Sequence, residues 1–241
     1  LLVIRGAIPE TLTTRPTTRE VVAPGVWRRL LTDPRLRVAY LGIFGLVASV
    51  GIVTGFLRAG IEARQIEAGV GAAQAARYAV GAQGGLFSVF GLVAVLVMLS
   101  PLARGVDRHG PRRFTFAGLA ALLASAVVLA GSGAIEIDTV GMLLYGLGYG
   151  LIFPATAGVV AIAAAPAERG RAYGLLNFSF DAGISFGPIA AGALVAAGTG
   201  IDPFVTAAVI LVAIGALVAL MGRGAVVGGP QRASNDRLES P

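Results

Sequence analysis

Asp181 is the only charged residue inside any of the long apolar stretches of this 241-residue sequence. Asn177 and Ser185 lie four residues to either side, so on a helix the three side chains form one polar stripe. A charge at the centre of a bilayer costs about 2.5–3.5 kcal/mol on insertion scales, and such residues usually line cavities or proton relays. A carboxyl group held away from water also takes up a proton readily. The stripe therefore predicts a substrate- or proton-binding site.

A structural role is the alternative for Asp181. In that interpretation its carboxylate pairs with a neighbouring helix or with a loosened part of the backbone. Gln83, Tyr145 and Tyr149 are further candidates for contact with a substrate. A glutamine in a glycine-rich helix also hydrogen-bonds to a neighbouring helix, and buried tyrosines also serve packing. The same structural alternative therefore applies to all three.

The sequence offers no residues for enzyme chemistry or for a cofactor. It contains no cysteine, which excludes disulfides, thiolate catalysis and cysteine-based metal sites. His109 is the only histidine, and it lies among arginines, where a solvated loop residue is expected. No His-Glu-x-x-His, Gly-x-Ser-x-Gly or phosphate-binding loop occurs. We therefore predict a protein that is not an enzyme and that holds neither a metal nor a cofactor.

The composition indicates a protein that lies mostly in lipid. Apolar residues make up 56% of the chain and charged residues 13%, against roughly 25% charged in an ordinary soluble domain. Apolar stretches of about 18 to 25 residues are candidate membrane spans, and the pattern predicts an all-α, polytopic membrane protein with six of them. They cover approximately Val38–Leu57, Ala79–Ser100, Phe114–Gly133, Thr139–Ala164, Ala172–Ala197 and Pro203–Gly222.

The basic residues, all of them arginine, fall mainly on one side of these stretches. Of the 19 arginines, 16 lie in four segments that alternate to the same side. The other three lie in residues 58–78, which either extend the helices past the membrane or form a surface loop. Because basic loops are retained in the cytoplasm, we expect both chain ends there, in a cell (inner) membrane. Basic loops beside apolar helices explain the charge, so no nucleic-acid partner is predicted.

The segments that flank the six stretches are polar. Residues 1–37 are predicted to be a cytoplasmic linker, in which Trp27–Pro34 forms a short amphipathic segment at the level of the lipid headgroups. Residues 38–222 are expected to form the six-helix bundle, and residues 223–241 a disordered cytoplasmic tail. The chain begins with Leu1 rather than methionine, so we expect a fragment of a longer product.

Two motifs combine glycine and proline at spacings that suit turns and helix packing. Gly110 permits a tight turn between antiparallel helices, and Asp107 can pair with an arginine as a latch that is made and broken; a plain basic loop is the alternative. In the fifth stretch, Gly183 and Gly187 let two helices approach closely in lipid, and Pro188 permits a bend. The predicted latch comprises Asp107, Arg108, Gly110, Arg112 and Arg113, and the predicted packing motif comprises Gly174, Gly183, Gly187, Pro188 and Gly192.

On these residues the chain resembles the C-terminal half, helices seven to twelve, of a major facilitator superfamily transporter. Two further segments, residues 169–174 (Arg-Gly-Arg-Ala-Tyr-Gly) and residues 146–150 (Gly-Leu-Gly-Tyr-Gly), resemble drug and sugar efflux members of that family. Residues 101–113 are similar to the family's loop signature Gly-x-x-x-Asp-Arg-x-Gly-x-Arg-Arg, with Ala103 in place of the first glycine. Residues 174–192 are similar to the antiporter signature, with Ala191 replacing one glycine of the terminal pair.

The resemblance implies a fold and a mechanism. Two six-helix halves, each made of two inverted three-helix repeats, rock about a central site and give alternating access. This chain then works in the lipid bilayer with a missing N-terminal six-helix half, and residues 101–113 act as a conformational latch. The expected activity is secondary active transport of a small-molecule substrate, in the form of proton-coupled efflux. The alternatives are an importer of a metabolite, either symporter or uniporter, and a six-helix scaffold or partner protein that transports nothing.

Overall fold

The computed structural model describes residues 25–101 and 111–223, and in these ranges the secondary structure is helical, with no strand. Three segments named in the predictions lie outside the described residues. They are residues 1–24 of the linker, residues 102–110 of the loop signature and the tail from residue 224 onward.

The described chain consists of one short helix, six long helices and one turn of 3₁₀ helix. The short helix α1 is Val26–Thr32. The long helices are α2 (Pro34–Glu67), α3 (Ala72–Leu99), α4 (Pro111–Ala130), α5 (Ile135–Ala163), α6 (Arg169–Ala196) and α7 (Pro203–Arg223), and the 3₁₀ turn Pro166–Glu168 leads into α6. Each of α2 to α7 is long and apolar enough to cross a membrane. The predicted all-α fold with six spans is confirmed.

The ends of α2 follow from local side-chain chemistry. At its start, the Asp33 carboxylate accepts a hydrogen bond from the Arg35 main-chain nitrogen (2.8 Å) and Pro34 occupies the first helical position. The helix then continues about ten residues past the predicted end at Leu57, with Ile61 buried on the bundle. Gly69, in the left-handed region at φ 84°, ends the helix and starts the turn to α3. Residues 58–78 thus mainly extend two helices.

The six long helices form two groups of three, α2–α4 and α5–α7. The largest interfaces join α4 to α5, α2 to α6, α3 to α5 and α2 to α7. The two groups correspond when α2 is exchanged with α5, α3 with α6 and α4 with α7. Under this exchange the α2–α6 interface becomes the α5–α3 interface, and the α4–α5 interface becomes the α7–α2 interface. Because each group contains an odd number of helices, the second group begins at the opposite end from the first. The architecture therefore agrees with the predicted pair of inverted three-helix repeats.

Glycines bring paired helices into main-chain contact in this bundle. At the α3–α5 interface, a β-carbon built on Gly146 lies 2.6 Å from the Phe90 carbonyl oxygen, and one on Gly150 lies 2.9 Å from the Ala94 carbonyl oxygen. No real side chain tolerates such distances, so glycine permits this approach. The α2–α6 interface, which corresponds to it under the repeat exchange, is built in the same way.

Each end of the bundle contains an ion pair that joins two parts of the chain. We call the end that contains α1 and the starts of α2, α4 and α6 the arginine-rich end. There, the Arg29 guanidinium pairs with the Glu168 carboxylate in the turn before α6. At the opposite end, Arg64 near the end of α2 pairs with Asp138 in the first turn of α5 and donates to the Ser132 carbonyl (3.1 Å). Asp138 is only 1% exposed, so Arg64 is the partner that compensates for burying this carboxylate.

The side of the bundle formed by α4 and α7 is apolar. A shallow groove runs between these two helices, and its lining residues are Leu123, Val127, Ala130, Val205, Ala208, Val209 and Val212. An exposed surface made only of aliphatic side chains suits contact with lipid tails. The polar stripe lies on α6, outside this groove.

Candidate functional site

α6 presents a face of small residues to α2. A β-carbon built on Gly183 lies 2.7 Å from a main-chain oxygen of α2, and one on Gly187 overlaps the Ala48 carbonyl group. From the other side, a β-carbon on Gly51 of α2 lies 2.7 Å from the Pro188 ring and from the Ile184 carbonyl oxygen, which lacks its usual helical donor because of the proline. Three residues of the predicted packing motif, Gly183, Gly187 and Pro188, therefore form this contact.

The two remaining glycines of the predicted packing motif lie outside this contact. No atom lies within 4 Å of a β-carbon built on Gly174. A β-carbon on Gly192 meets only the ring of Phe56, at 3.9 Å, which is an ordinary van der Waals distance. Both positions therefore have room for a larger residue.

Asn177, Asp181 and Ser185 lie on the other side of α6, and all three are exposed on this bundle. Their common direction is roughly 140° from that of Gly183 and Gly187, at about 100° per residue. Asp181 is the thirteenth of the 28 residues of α6, close to the middle of the helix. The stripe thus points away from α2, close to the middle of α6.

The stripe has no partner within residues 25–101 and 111–223. None of the side chains of Asn177, Asp181 and Ser185 makes a hydrogen bond or an ion pair with this part of the chain. The structural alternative for Asp181 requires a pairing group on a neighbouring helix or on a loosened part of the backbone, and the described residues supply neither. An unpaired carboxylate in the middle of an apolar helix is costly in lipid, so this face requires water, a ligand or another protein surface.

A crevice of about 140 Å³ opens beside the stripe, between α5 and α6. Asn177 lines it, and the Tyr173 hydroxyl at its edge donates to the Ala157 carbonyl (3.0 Å). The crevice has aromatic walls, and the Asn177 amide makes no hydrogen bond within the described residues. Its lining residues are Ile43, Phe153, Thr156, Ala157, Tyr173, Leu176, Asn177 and Phe180.

Tyr145 lies in the core of the bundle and is 2% exposed. Its hydroxyl lies 2.9 Å from Ser49 Oγ, and Ser49 in turn donates to the Leu46 carbonyl (2.7 Å). Its ring packs on Phe90 of α3, with the centroids 5.5 Å apart. Tyr145 therefore connects α2, α3 and α5, an arrangement that favours a packing role over contact with a substrate.

Tyr149 lies one turn further along α5 and is half-buried. Its ring makes an edge-to-face contact with Phe90 and stacks on Phe153, with centroids 5.3 and 5.5 Å apart. Phe153 lines the crevice, whereas Tyr149 does not. Tyr149 therefore does not line the crevice itself, but it packs on the Phe153 ring that does.

Gln83 bridges two helices rather than lining the crevice. Its side-chain nitrogen donates to the Thr54 carbonyl of α2 (3.2 Å), and the Thr54 hydroxyl donates to the Val50 carbonyl (2.8 Å). The bond matches the interhelical alternative for this glutamine, and the crevice is lined by other residues.

The predicted latch is described only in part. Asp107, Arg108 and Gly110 lie outside the described residues. Arg112 and Arg113 lie in the first turn of α4, where Arg112 packs over the Phe116 ring at 5.6 Å from its centroid. The role of the latch stays a prediction.

Several residues of this region carry no distinctive signal in the sequence. Phe153, Thr156 and Tyr173 come together in the crevice only through the packing of α5 on α6. Phe153 and Thr156 lie in an apolar stretch like many others, and Tyr173 lies beside a basic turn. A threonine within an apolar stretch is a weak indication of a polar contact. Thr156 is the only one of these three residues that carries even this signal.

The architecture and the site accord with a match in sequence. The family model of the Major Facilitator Superfamily matches residues 70–239, more than two thirds of the chain, and the matched segment contains α3 to α7. No match was found among curated proteins. Six helices of membrane-spanning length, in two groups of three, agree with this family. The chain belongs to the Major Facilitator Superfamily of membrane transporters and is a multi-pass membrane protein.

Proposed function

We propose that the protein is a secondary active transporter that exports a small molecule in exchange for protons by alternating access. The observation that carries this proposal is the unpaired Asp181 carboxylate in the middle of α6, exposed on the face that does not pack on α2. Asn177 and Ser185 extend the same stripe, and Asn177 lines the adjacent crevice. In this proposal the stripe and the crevice line the substrate pathway.

Asp181 can couple protons to transport because its surroundings change as the pathway opens and closes. When the stripe faces water, the Asp181 carboxylate is hydrated. When the pathway closes, the loss of water favours the neutral form, so the residue takes up a proton. Opening to the other side of the membrane restores hydration and releases the proton. The α2–α6 glycine contact packs the two helices main chain to main chain, and in this proposal they move together.

A second six-helix half completes the pathway in this proposal. The stripe then faces the centre between the halves, while the apolar groove between α4 and α7 faces lipid. The arginine-rich end faces the cytoplasm of a cell (inner) membrane, since 16 of the 19 arginines belong to that side. The predicted latch, residues 101–113, connects α3 to α4 at this end.

The same site supports import as the second candidate direction, by symport or uniport. Export is preferred because residues 174–192 resemble the antiporter signature, and Gly183, Gly187 and Pro188 form a close contact with α2. A scaffold without transport is less favoured, since it has no use for an unpaired carboxylate in the middle of a helix.

The test is proton flux in vesicles. The protein, together with the second six-helix half, is reconstituted into liposomes that contain a trapped pH-sensitive dye. A panel of sugars, amino acids and the cation ethidium is applied with and without a pH gradient. The wild-type protein is expected to couple at least one compound to proton movement. Asp181→Asn is expected to abolish this coupling while expression stays intact, because an amide takes up no proton.

Asp202→Asn is the matched control. Asp202 caps the start of α7, where its Oδ1 accepts from the Phe204 main-chain nitrogen (2.7 Å), so its replacement is expected to leave the coupling unchanged. Wild-type proton coupling in Asp181→Asn contradicts the assigned role of Asp181. Transport that no pH gradient affects, even in the wild-type protein, favours a uniporter.

A further inference from the structure

α1 has a different environment on each of its sides. Val26 and Leu30 are buried on the bundle, whereas Trp27 and Leu31 are 50% and 51% exposed. Successive residues of a helix are rotated by about 100°. The direction shared by Trp27 and Leu31 is therefore roughly 100° from the direction shared by Val26 and Leu30, on one flank of the helix. Arg29 lies on the other flank, where it pairs with Glu168. The helix therefore lies against the bundle end with one apolar flank unpartnered among the described residues.

Chain connectivity fixes the depth of α1. Asp33, in an extended conformation, is the single residue between α1 and α2, and the apolar part of α2 begins at Val38. Four residues of helix from Pro34 to Val38 span roughly 6 Å. The headgroup layer on each side of the hydrocarbon core is about 5–8 Å thick. α1 therefore lies within this layer when α2 crosses a membrane, at the depth where tryptophan is enriched.

Within the described part of the chain, the exposed charges around α1 are basic. Arg28 and Arg35 are exposed, and neither takes part in an ion pair within the described ranges. Among the described residues, the two acids near α1 are engaged, because Asp33 caps α2 and the buried Glu168 pairs with Arg29. Cationic side chains beside an exposed tryptophan and leucine are complementary to a bilayer surface, in which anionic headgroups lie above apolar acyl chains.

We propose that α1 is a docking element for a bilayer surface that carries anionic lipids. Trp27 and Leu31 enter the headgroup region, and Arg28 and Arg35 bind the lipid phosphates. The Arg29–Glu168 pair connects this docking to the start of α6, because Glu168 immediately precedes that helix. Anionic lipid thereby holds the end of the helix that carries the polar stripe. The proposal is independent of the transported substrate and of the direction of transport.

Trp27 is the single tryptophan of the chain and reports on the docking directly. The protein is reconstituted into phosphatidylcholine vesicles with increasing fractions of phosphatidylglycerol. Emission of Trp27 is obtained as the difference from the Trp27→Phe variant, and quenching is compared between lipids spin-labelled near the headgroup and near the chain end. We expect a blue shift and preferential quenching by the shallow label, both increasing with phosphatidylglycerol.

The arginine variants separate lipid binding from burial by protein. Arg28→Gln is expected to weaken the apparent affinity for phosphatidylglycerol roughly fivefold, as for the loss of one basic residue at an anionic surface. Arg77→Gln, which removes an exposed arginine at the opposite end of the bundle, is expected to have no effect.

Two results overturn the proposal. One is an emission spectrum typical of water that stays the same in all vesicles. The other is a blue-shifted spectrum that depends neither on phosphatidylglycerol nor on Arg28, which assigns the flank to a protein partner instead.

Discussion

Gly187 of α6 lies directly against the carbonyl group of Ala48 of α2, with no space for a β-carbon between the two helices. Gly183, one turn earlier, meets the main chain of α2 in the same way. In lipid, where apolar surfaces gain nothing by leaving the solvent, such close packing is the main source of helix association. The contact therefore fixes α6 on α2 and directs the stripe around Asp181 outward.

Gly187→Ala is expected to destabilise the bundle. A methyl group at this position overlaps the Ala48 carbonyl, and overpacking of a tight core costs about 1–3 kcal/mol. The measurement is the melting temperature of the purified protein in detergent. Gly174→Ala is the control on the same helix, because nothing lies within 4 Å of its β-carbon, and it is expected to melt as the wild type does. Equal melting temperatures for the two variants contradict the packing described here.

Tyr145→Phe is expected to affect stability but not substrate binding. The substitution removes the hydrogen bond to Ser49 Oγ, and a buried hydrogen bond contributes about 0.5–1.5 kcal/mol. The free energy of unfolding should fall by that amount, whereas the KM for a transported compound should stay the same. A raised KM with unchanged stability instead assigns Tyr145 to the substrate site.

Asp138→Asn is expected to be among the more damaging single changes. It leaves the Arg64 guanidinium without its anionic partner at a buried site, and breaking such a pair costs roughly 3 kcal/mol. Arg58→Gln is the matched control. It removes a partly exposed pair whose atoms are 4.0 Å apart, and such surface pairs contribute about 0.5 kcal/mol or less. Thermal unfolding of both variants in detergent measures the difference. An Asp138→Asn protein as stable as Arg58→Gln refutes the structural importance of the buried pair.

Much of the fold could be predicted from the sequence, because span length and apolar composition follow directly from the thickness of a bilayer. The end of α2 could not. The apolar pattern stops at Leu57, before Arg58, whereas the helix continues because Ile61 packs on the bundle and Arg64 pairs with Asp138. That pair joins residues 74 positions apart, and no local pattern indicates such a partner.

The site could be predicted only where it follows from helical periodicity. The spacing of Asn177, Asp181 and Ser185 gives one stripe, and the structure has that stripe on the face away from Gly183 and Gly187. The environment of Tyr145 could not be anticipated, since its partner Ser49 is 96 residues away. The binding of a proton or a substrate by Asp181 stays a prediction.

Water access to the polar stripe is the central claim, and single cysteines test it most directly. The chain contains no cysteine, so one introduced thiol in this chain reports from one position. Asn177→Cys and Ser185→Cys are expected to react with a membrane-impermeant methanethiosulfonate reagent, while Val209→Cys, in the apolar groove between α4 and α7, is expected to stay unmodified. Stripe cysteines as unreactive as Val209→Cys contradict the account, because the stripe then lies in lipid or in a sealed protein contact.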